Sequence, residues 1–358
     1  MGAIVQSLTE LLKIESIVGN EARLCTHVEE LLRERFKSAA SPPRIERVLN
    51  SLVISSAFDS LKSTLLLAGH LDTVAGTETG ELVRVLSDRI IGLGASDMKA
   101  GVAVMLELLK PELLQQSRFN LMFIFYSREE GPHEENELHT VLREFPELSR
   151  ANFCFVLEPT DNSLHLGCMG TIHAQIVFKG QRAHSARPWQ GRNAIHAAAE
   201  FLSQVSKIPP RTVTLGGLDF KEVYSVTTAN SGDNSRNVIP DYFELNLNYR
   251  FPPNLSAAAA KQHVVELVAG QAAIQFLDVS PACPVPESNP ILREFEARFN
   301  LPRWPKQAYT DVALFAEHGI NAVNFGPGLT AQAHQRGEYV RIQDLEQSLE
   351  IYRSFISR

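Results

Sequence analysis

Apolar positions 24, 28, 31, 32 and 36 recur at helical spacing, and Asn20 stands where an N-cap would open such a helix. Residues 1–12 carry a similar amphipathic pattern, without the basic start and small-residue cleavage site of a secretory leader. The texture then changes. Segments 63–69, 90–92, 121–126 and 153–157 are short and mostly apolar, separated by loops and by a helical stretch at 98–110. Three of them are continuously apolar, as strands covered on both faces are. From about 171 the pattern becomes period-two, at 171–178, 224–228 and 242–249, which predicts half-buried antiparallel strands with helices at 191–206 and 256–269. The expectation is an α/β protein. Residues 1–170 and 285–358 form a doubly wound domain around a central, mostly parallel sheet, and an α+β sandwich at 171–284 is inserted into it. The proline-rich stretch 281–290 serves as the return linker.

Composition narrows the partners. Of 358 residues, 34 are Lys or Arg and 41 are Asp or Glu, a net charge of −7 with no basic tract to meet a phosphate backbone. Nucleic acid is therefore excluded as an expected partner. The apolar runs at 65–68 and 121–126 fall far short of the roughly 18 residues that span a bilayer, so no membrane is expected either. Cys25, Cys154, Cys168 and Cys283 show no CxxC spacing and read as free buried thiols, which suits a cytoplasmic address.

In open α/β sheets the reactive groups gather beyond the carboxyl ends of the strands. The first run ends in His70-Leu71-Asp72, the third in Ser127-Arg128-Glu129-Glu130-Gly131, and the fourth in Glu158-Pro159. Asp97 follows the loop Gly92-Leu93-Gly94, just ahead of the helical stretch. Any one of these acids read alone is a solvated loop carboxylate. Together, on neighbouring strands, they would repel one another, since one like-charge pair at about 4 Å costs about 4 kcal/mol at an effective dielectric near 20. Bound cations make such a cluster tolerable. Histidine with carboxylates and no cysteine suits zinc, manganese or cobalt. Competing chemistry fails on inspection: the glycine loop has Asp97 where a dinucleotide fingerprint needs its third glycine, and neither HExxH nor GxSxG occurs.

The order Gly69-His70-Leu71-Asp72-Thr73, the run 92–101, Glu129-Glu130-Gly131, Leu157-Glu158-Pro159-Thr160 and a late Ala333-His334 resembles the di-zinc amidohydrolases of the aminoacylase and carboxypeptidase group. The resemblance covers nearly the whole chain. It implies two zinc ions per subunit, replaceable by cobalt or manganese, with Asp97 bridging them. His70 and Glu158 would hold one ion, and Glu130 and His334 the other. Asp72 would buttress His70, Glu129 would act as general base, and the inserted domain would serve as lid and dimerisation domain of a homodimer. His184 would reach the developing oxyanion from that domain, while Arg250, Asn237, Thr310 and Arg187 would contact the carboxylates of a small N-acyl amino acid.

Within that group the stretches 167–171, 182–187, 237–240 and 324–328 most resemble the branch that removes the succinyl group from N-succinyl-LL-2,6-diaminopimelate. Longer members of that branch carry basic residues where this chain has Cys168-Met169. N-Acetylornithine or a related N-acetyl amino acid, a dipeptide, or loss of catalysis altogether are the other readings the sequence leaves open.

Overall fold

The computed structural model describes residues 2–75, 83–232 and 235–357. The chain divides into two compact units, one of Met1–Leu166, Pro286–Trp304 and Leu314–Arg358, the other of Gly167–Val285 and Pro305–Ala313. The inclusion of Pro305–Ala313 in the second unit has no counterpart in the sequence expectation.

The first unit is built on an eight-stranded sheet. Its centre is parallel: Asn120–Tyr126, Thr64–His70, Phe153–Val156 and Ala322–Asn324 lie side by side in that order. The hairpin Arg44–Val48 and Ser51–Ser55 adds antiparallel strands at one edge, and Leu164–Leu166 runs antiparallel beyond Asn324. Every residue of the strands Thr64–His70 and Asn120–Tyr126 is buried. That is why both read as continuous apolar runs rather than alternating ones. The α/β class and the mostly parallel central sheet are as the sequence predicts.

Two local expectations need correction. The second helix spans Ala22–Phe36, with Glu21 rather than Asn20 at its N-cap and no side-chain cap bond. The Glu21 side chain instead turns back to accept the Gly19 N–H at 2.6 Å, which tightens the preceding turn. The 90–92 segment belongs to a separate three-stranded sheet, where Arg89–Ile91 lies between Arg84–Val85 and Tyr339–Arg341.

The second unit carries a five-stranded antiparallel sheet in which Leu218–Asn230, Tyr242–Phe251 and Gly170–Lys179 are the inner strands. Alternate residues Ile172, Ala174, Ile176 and Phe178 meet Leu245, Leu247 and Tyr249 and the helix residues Phe201, Ala260 and Val264 in one core. Period-two patterning is the signature of a sheet covered by helices on a single face. The helix foreseen at 191–206 is two shorter ones, Ala194–Ala197 and Ala199–Val205, the first capped by Asn193. The helix Ala257–Val268 is capped by Ser256 and stopped by Ala269 in a left-handed conformation. All four cysteines are buried and free.

Candidate metal centre

Three neighbouring parallel strands of the first unit end at the same rim. His70 closes its strand, Glu129 and Glu130 follow Tyr126, and Glu158 follows Val156. Asp97 comes from the turn ahead of the helix Lys99–Leu108, and its peptide bond to Met98 is cis. His334 lies beyond the fourth parallel strand, with a left-handed backbone (φ 60).

The donor atoms converge. His70 Nε2 lies 3.3 Å from Asp97 Oδ1 and 3.8 Å from Glu158 Oε1. His334 Nε2 lies 2.9 Å from Glu130 Oε1 and 3.7 Å from Asp97 Oδ2. Asp97 thus turns one oxygen to each imidazole. Candidate ligand atoms fall into three overlapping groups, His70/Asp97/Glu158, Asp97/Glu130/His334 and His70/Glu129/Glu130, each within 4.8 Å. Two imidazoles and several carboxylates with Asp97 in common form a donor set suited to a pair of borderline divalent ions.

The tautomer of His70 fits the same purpose. Its Nδ1 lies 3.0 Å from the Asp72 carbonyl oxygen, which can only accept, so Nδ1 carries the proton and Nε2 is left to face Asp97. Orientation through the remote nitrogen is how metal-ligating histidines are held. The contact comes from the Asp72 backbone; its carboxylate Oδ1 is 3.7 Å away. The other carboxylate oxygen accepts the Glu130 N–H at 2.8 Å, so Asp72 also fixes the turn that carries Glu130.

Charge follows geometry. Burial pushes the His70 imidazolium down, but the Asp97 hydrogen bond and the charges of Asp72, Glu129 and Glu158 overcome it and hold the ring well above its ordinary value. His334 is raised to about 9, chiefly by its hydrogen bond to Glu130. In each case a proton supplies the positive charge that the carboxylates demand.

Sequence reasoning missed two buried ionisable groups around the Asp97 turn. Glu338 is 2% exposed and accepts the N–H groups of Gly94 at 2.8 Å, Ser96 at 2.7 Å and Asp97 at 2.8 Å. Burial raises its carboxyl to about 7, against the pull of those three amides. Lys99 Nζ donates to the carbonyls of Leu11 and Ile14, and burial lowers it to about 8. The only hint in the sequence is an acid four residues beyond His334, flanked by Gly337 and Tyr339.

The remaining expected residues lie in the second unit. His184 pairs with Val238 in a two-stranded ribbon, its Nδ1 accepts the Ala186 N–H at 3.0 Å, and the Asn237 carbonyl accepts the Ser185 N–H. Arg187 donates its backbone N–H to the His184 carbonyl, so His184, Asn237 and Arg187 form one exposed group. Arg250 is half-buried near the end of its strand, with Nε donating to Asn248 Oδ1 at 3.2 Å. Thr310 is buried, and its hydroxyl has no partner among the described residues.

Residues 66–358 match the family described as Peptidase family M20/M25/M40. The chain belongs to this family. A Mycobacterium tuberculosis protein named as a candidate succinyl-diaminopimelate desuccinylase is 34% identical to it, over 99% of this chain and 98% of the relative. A Corynebacterium glutamicum protein named succinyl-diaminopimelate desuccinylase is 31% identical, over 97% and 94%. Among solved structures, an M20 family metallo-carboxypeptidase from Sulfolobus solfataricus aligns with a TM-score of 0.79 at 16% identity, over 99% of both chains, a likeness of fold. Like its family, the chain is a metal-dependent hydrolase acting on amide bonds. Among the described residues no helix is long and apolar enough to cross a membrane.

Proposed function

We propose that this enzyme hydrolyses N-succinyl-LL-2,6-diaminopimelate to succinate and LL-2,6-diaminopimelate, in the cytoplasm, on the route to lysine and cell-wall diaminopimelate. The observation that carries the hydrolytic reading is Asp97, with one oxygen toward His70 and the other toward His334. Two zinc ions would be its occupants: His70 and Glu158 would hold one, Glu130 and His334 the other, and Asp97 would be a ligand available to both. Bound there, the ions supply Lewis acidity that polarises the amide carbonyl and lowers the pKa of water.

Glu129 is the general base. It takes a proton from the attacking water as oxygen adds to the carbonyl carbon, and it returns that proton to the amine nitrogen as the C–N bond breaks. Asp72 orients His70 through its carbonyl and the Glu130 turn through its carboxylate. His184 donates a hydrogen bond to the developing oxyanion, reaching it across a homodimer. The Arg250 guanidinium, with the Thr310 hydroxyl, Asn237 and Arg187, binds the substrate carboxylates. The two named relatives support the succinyl group.

The exposed edge of the strand Leu218–Asn230 supports the homodimer. Residues 218–222 pair with Arg211–Leu215, and beyond them, among the described residues, 223–230 have a strand on one side only. A groove of about 700 Å³ lies beside that edge, lined by Leu202, Val205, Ile208, Tyr224 and Val226 together with Ser203 and Ser206. An unpaired edge favours pairing with another strand, and a two-fold axis presents the same strand twice.

The test is turnover of N-succinyl-LL-diaminopimelate beside N-acetylornithine, with zinc and after chelation. Zinc-dependent hydrolysis of the succinyl substrate alone is the expected result. Turnover of only the acetyl substrate would keep the metal reading and overturn the substrate. Glu129→Ala should bind zinc normally and lose activity by about 10²–10⁴-fold; a nearly active variant would remove Glu129 as the base.

A further inference from the structure

The turn that delivers Asp97 is held from one direction by one side chain. Its N–H groups at Gly94, Ser96 and Asp97 converge, a backbone arrangement that forms an anion-binding concavity. The chain supplies its own anion, the Glu338 carboxylate, with Oε1 accepting from Ser96 and Asp97 and Oε2 from Gly94. The Glu338 carbonyl also accepts the Gly92 N–H at 2.9 Å. Its location follows from the small sheet, where Tyr339 pairs with Ile91 and so sets Glu338 against the start of the turn. Ser96 adds to the same junction, its hydroxyl donating to the Tyr339 carbonyl and accepting the Leu329 N–H.

We propose that Glu338 is a positioning residue for the metal centre, fixing the 94–97 turn so that Asp97 presents one oxygen to His70 and the other to His334. This rests on the reading of Asp97 as the common ligand. Glu338 lies four residues beyond His334, so one side chain links the segments that carry two of the ligands. Only a carboxylate suits the position. Three converging donors need two acceptor oxygens, whereas glutamine offers one oxygen and turns an NH₂ group toward a backbone N–H.

The experiment uses the full chain. Glu338→Gln, Glu338→Asp and Asp97→Asn are stripped of metal and titrated with Zn²⁺ and Co²⁺ by calorimetry. The visible spectrum of the Co²⁺ form, the kcat and KM of the Zn²⁺ form and the metal-free Tm are recorded alongside. Glu338→Gln should weaken metal binding by about 10–100-fold, the usual loss when a group behind a ligand is removed. Its Co²⁺ bands should shift and kcat should fall with KM little changed, while Glu338→Asp, which keeps both oxygens, should recover part of each loss. Wild-type affinity and spectrum in Glu338→Gln, with only a lower Tm, would reduce Glu338 to scaffolding and overturn the proposal.

Asp97→Asn separates this outcome from failure of the ligand reading. If Asp97→Asn binds two metals as wild type does, the reading itself falls; if it loses metal and Glu338→Gln does not, only the role of Glu338 falls. Should the Glu338 variants not fold, hydrogen exchange on the metal-free wild-type protein decides. Protected amides at 94, 96 and 97 are expected, and exchange there at unprotected rates would overturn the proposal.

Discussion

Gly101 lies in the first turn of the helix that follows Asp97, and a Cβ built there would stand 2.3 Å from the Leu157 carbonyl oxygen and 2.8 Å from Leu157 Cβ. The obstacle is backbone, so no side-chain rotation relieves it. Restoring ordinary contact in Gly101→Ala requires the helix or the strand exit to shift by about 1 Å, overpacking that typically costs about 1–3 kcal/mol. For a domain of this size that is a fall of roughly 2–12 °C in Tm. The shift also separates two ligands, because Asp97 precedes the helix and Glu158 follows Leu157. Metal sites tolerate displacements of only about 0.2 Å, so zinc affinity should fall at least about tenfold, as it does when groups that orient ligands are lost. Circular dichroism melts of the metal-free protein and zinc titration of the same samples read the two effects separately. A Gly101→Ala protein with wild-type Tm and wild-type zinc binding would refute the close approach and the geometry built on it.

Acidity should weaken metal binding through His334. Its raised pKa of about 9 means that metal must displace a proton at neutral pH, so calorimetry in buffers of different ionisation enthalpy should show proton release and an apparent affinity that climbs from pH 6.5 to 9. In the metal-free protein the sign is opposite. A histidine whose folded pKa is raised stabilises the fold below its unfolded pKa of 6.5, and that contribution is lost as pH rises through about 9; the ring is 51% exposed, so solvent screening keeps the effect small. A metal-free Tm that rises across this window would contradict the assignment. Asp72→Ala should loosen chiefly the Glu130 side of the centre, because it leaves the Glu130 N–H without its acceptor while keeping the backbone carbonyl that His70 Nδ1 meets. Asp72→Asn, which keeps an acceptor oxygen, should retain more zinc, and equal zinc loss in both variants would argue against that bond. Arg250→Ala should raise KM for the succinyl substrate about tenfold or more, the scale of a lost charge-assisted hydrogen bond, with folding and zinc content unchanged; an unaltered KM would remove Arg250 from substrate binding.

The parts of the centre visible in the sequence are those written in side-chain type at strand ends. His70, Glu129, Glu130 and Glu158 stand immediately beyond apolar runs, and that pattern survives into the sheet as three adjacent exits. What stayed hidden is carried by backbone groups. The Asp72 carbonyl that sets the His70 tautomer, the three amides on Glu338 and the pressure of Gly101 on Leu157 leave no periodic trace, because any residue type supplies an N–H or a C=O. One helix start failed for a related reason. Asn20 has the chemistry of a cap, yet Glu21 engages the Gly19 amide, and local bonding of that kind competes with capping. The helix expected at 191–206 is interrupted only at Ala198, whose backbone remains right-handed helical (φ −83, ψ −10).

The parallel order of the central sheet also sets a schedule for synthesis. Its first three parallel strands, with His70, Asp97, Glu129, Glu130 and Glu158, all leave the ribosome before the strand Gly170–Lys179 that opens the second unit. The fourth strand, Ala322–Asn324, and the loop with His334 and Glu338 emerge only after that unit is complete. A nascent chain therefore holds an acidic cluster long before it owns its last histidine or the clamp on its Asp97 turn. Domains fold as units from the amino terminus, and here the first-made half waits for the last segment of the chain. Truncation or slow translation near the carboxyl end would leave a partly folded sheet with its carboxylates exposed to whatever divalent ion the cell offers.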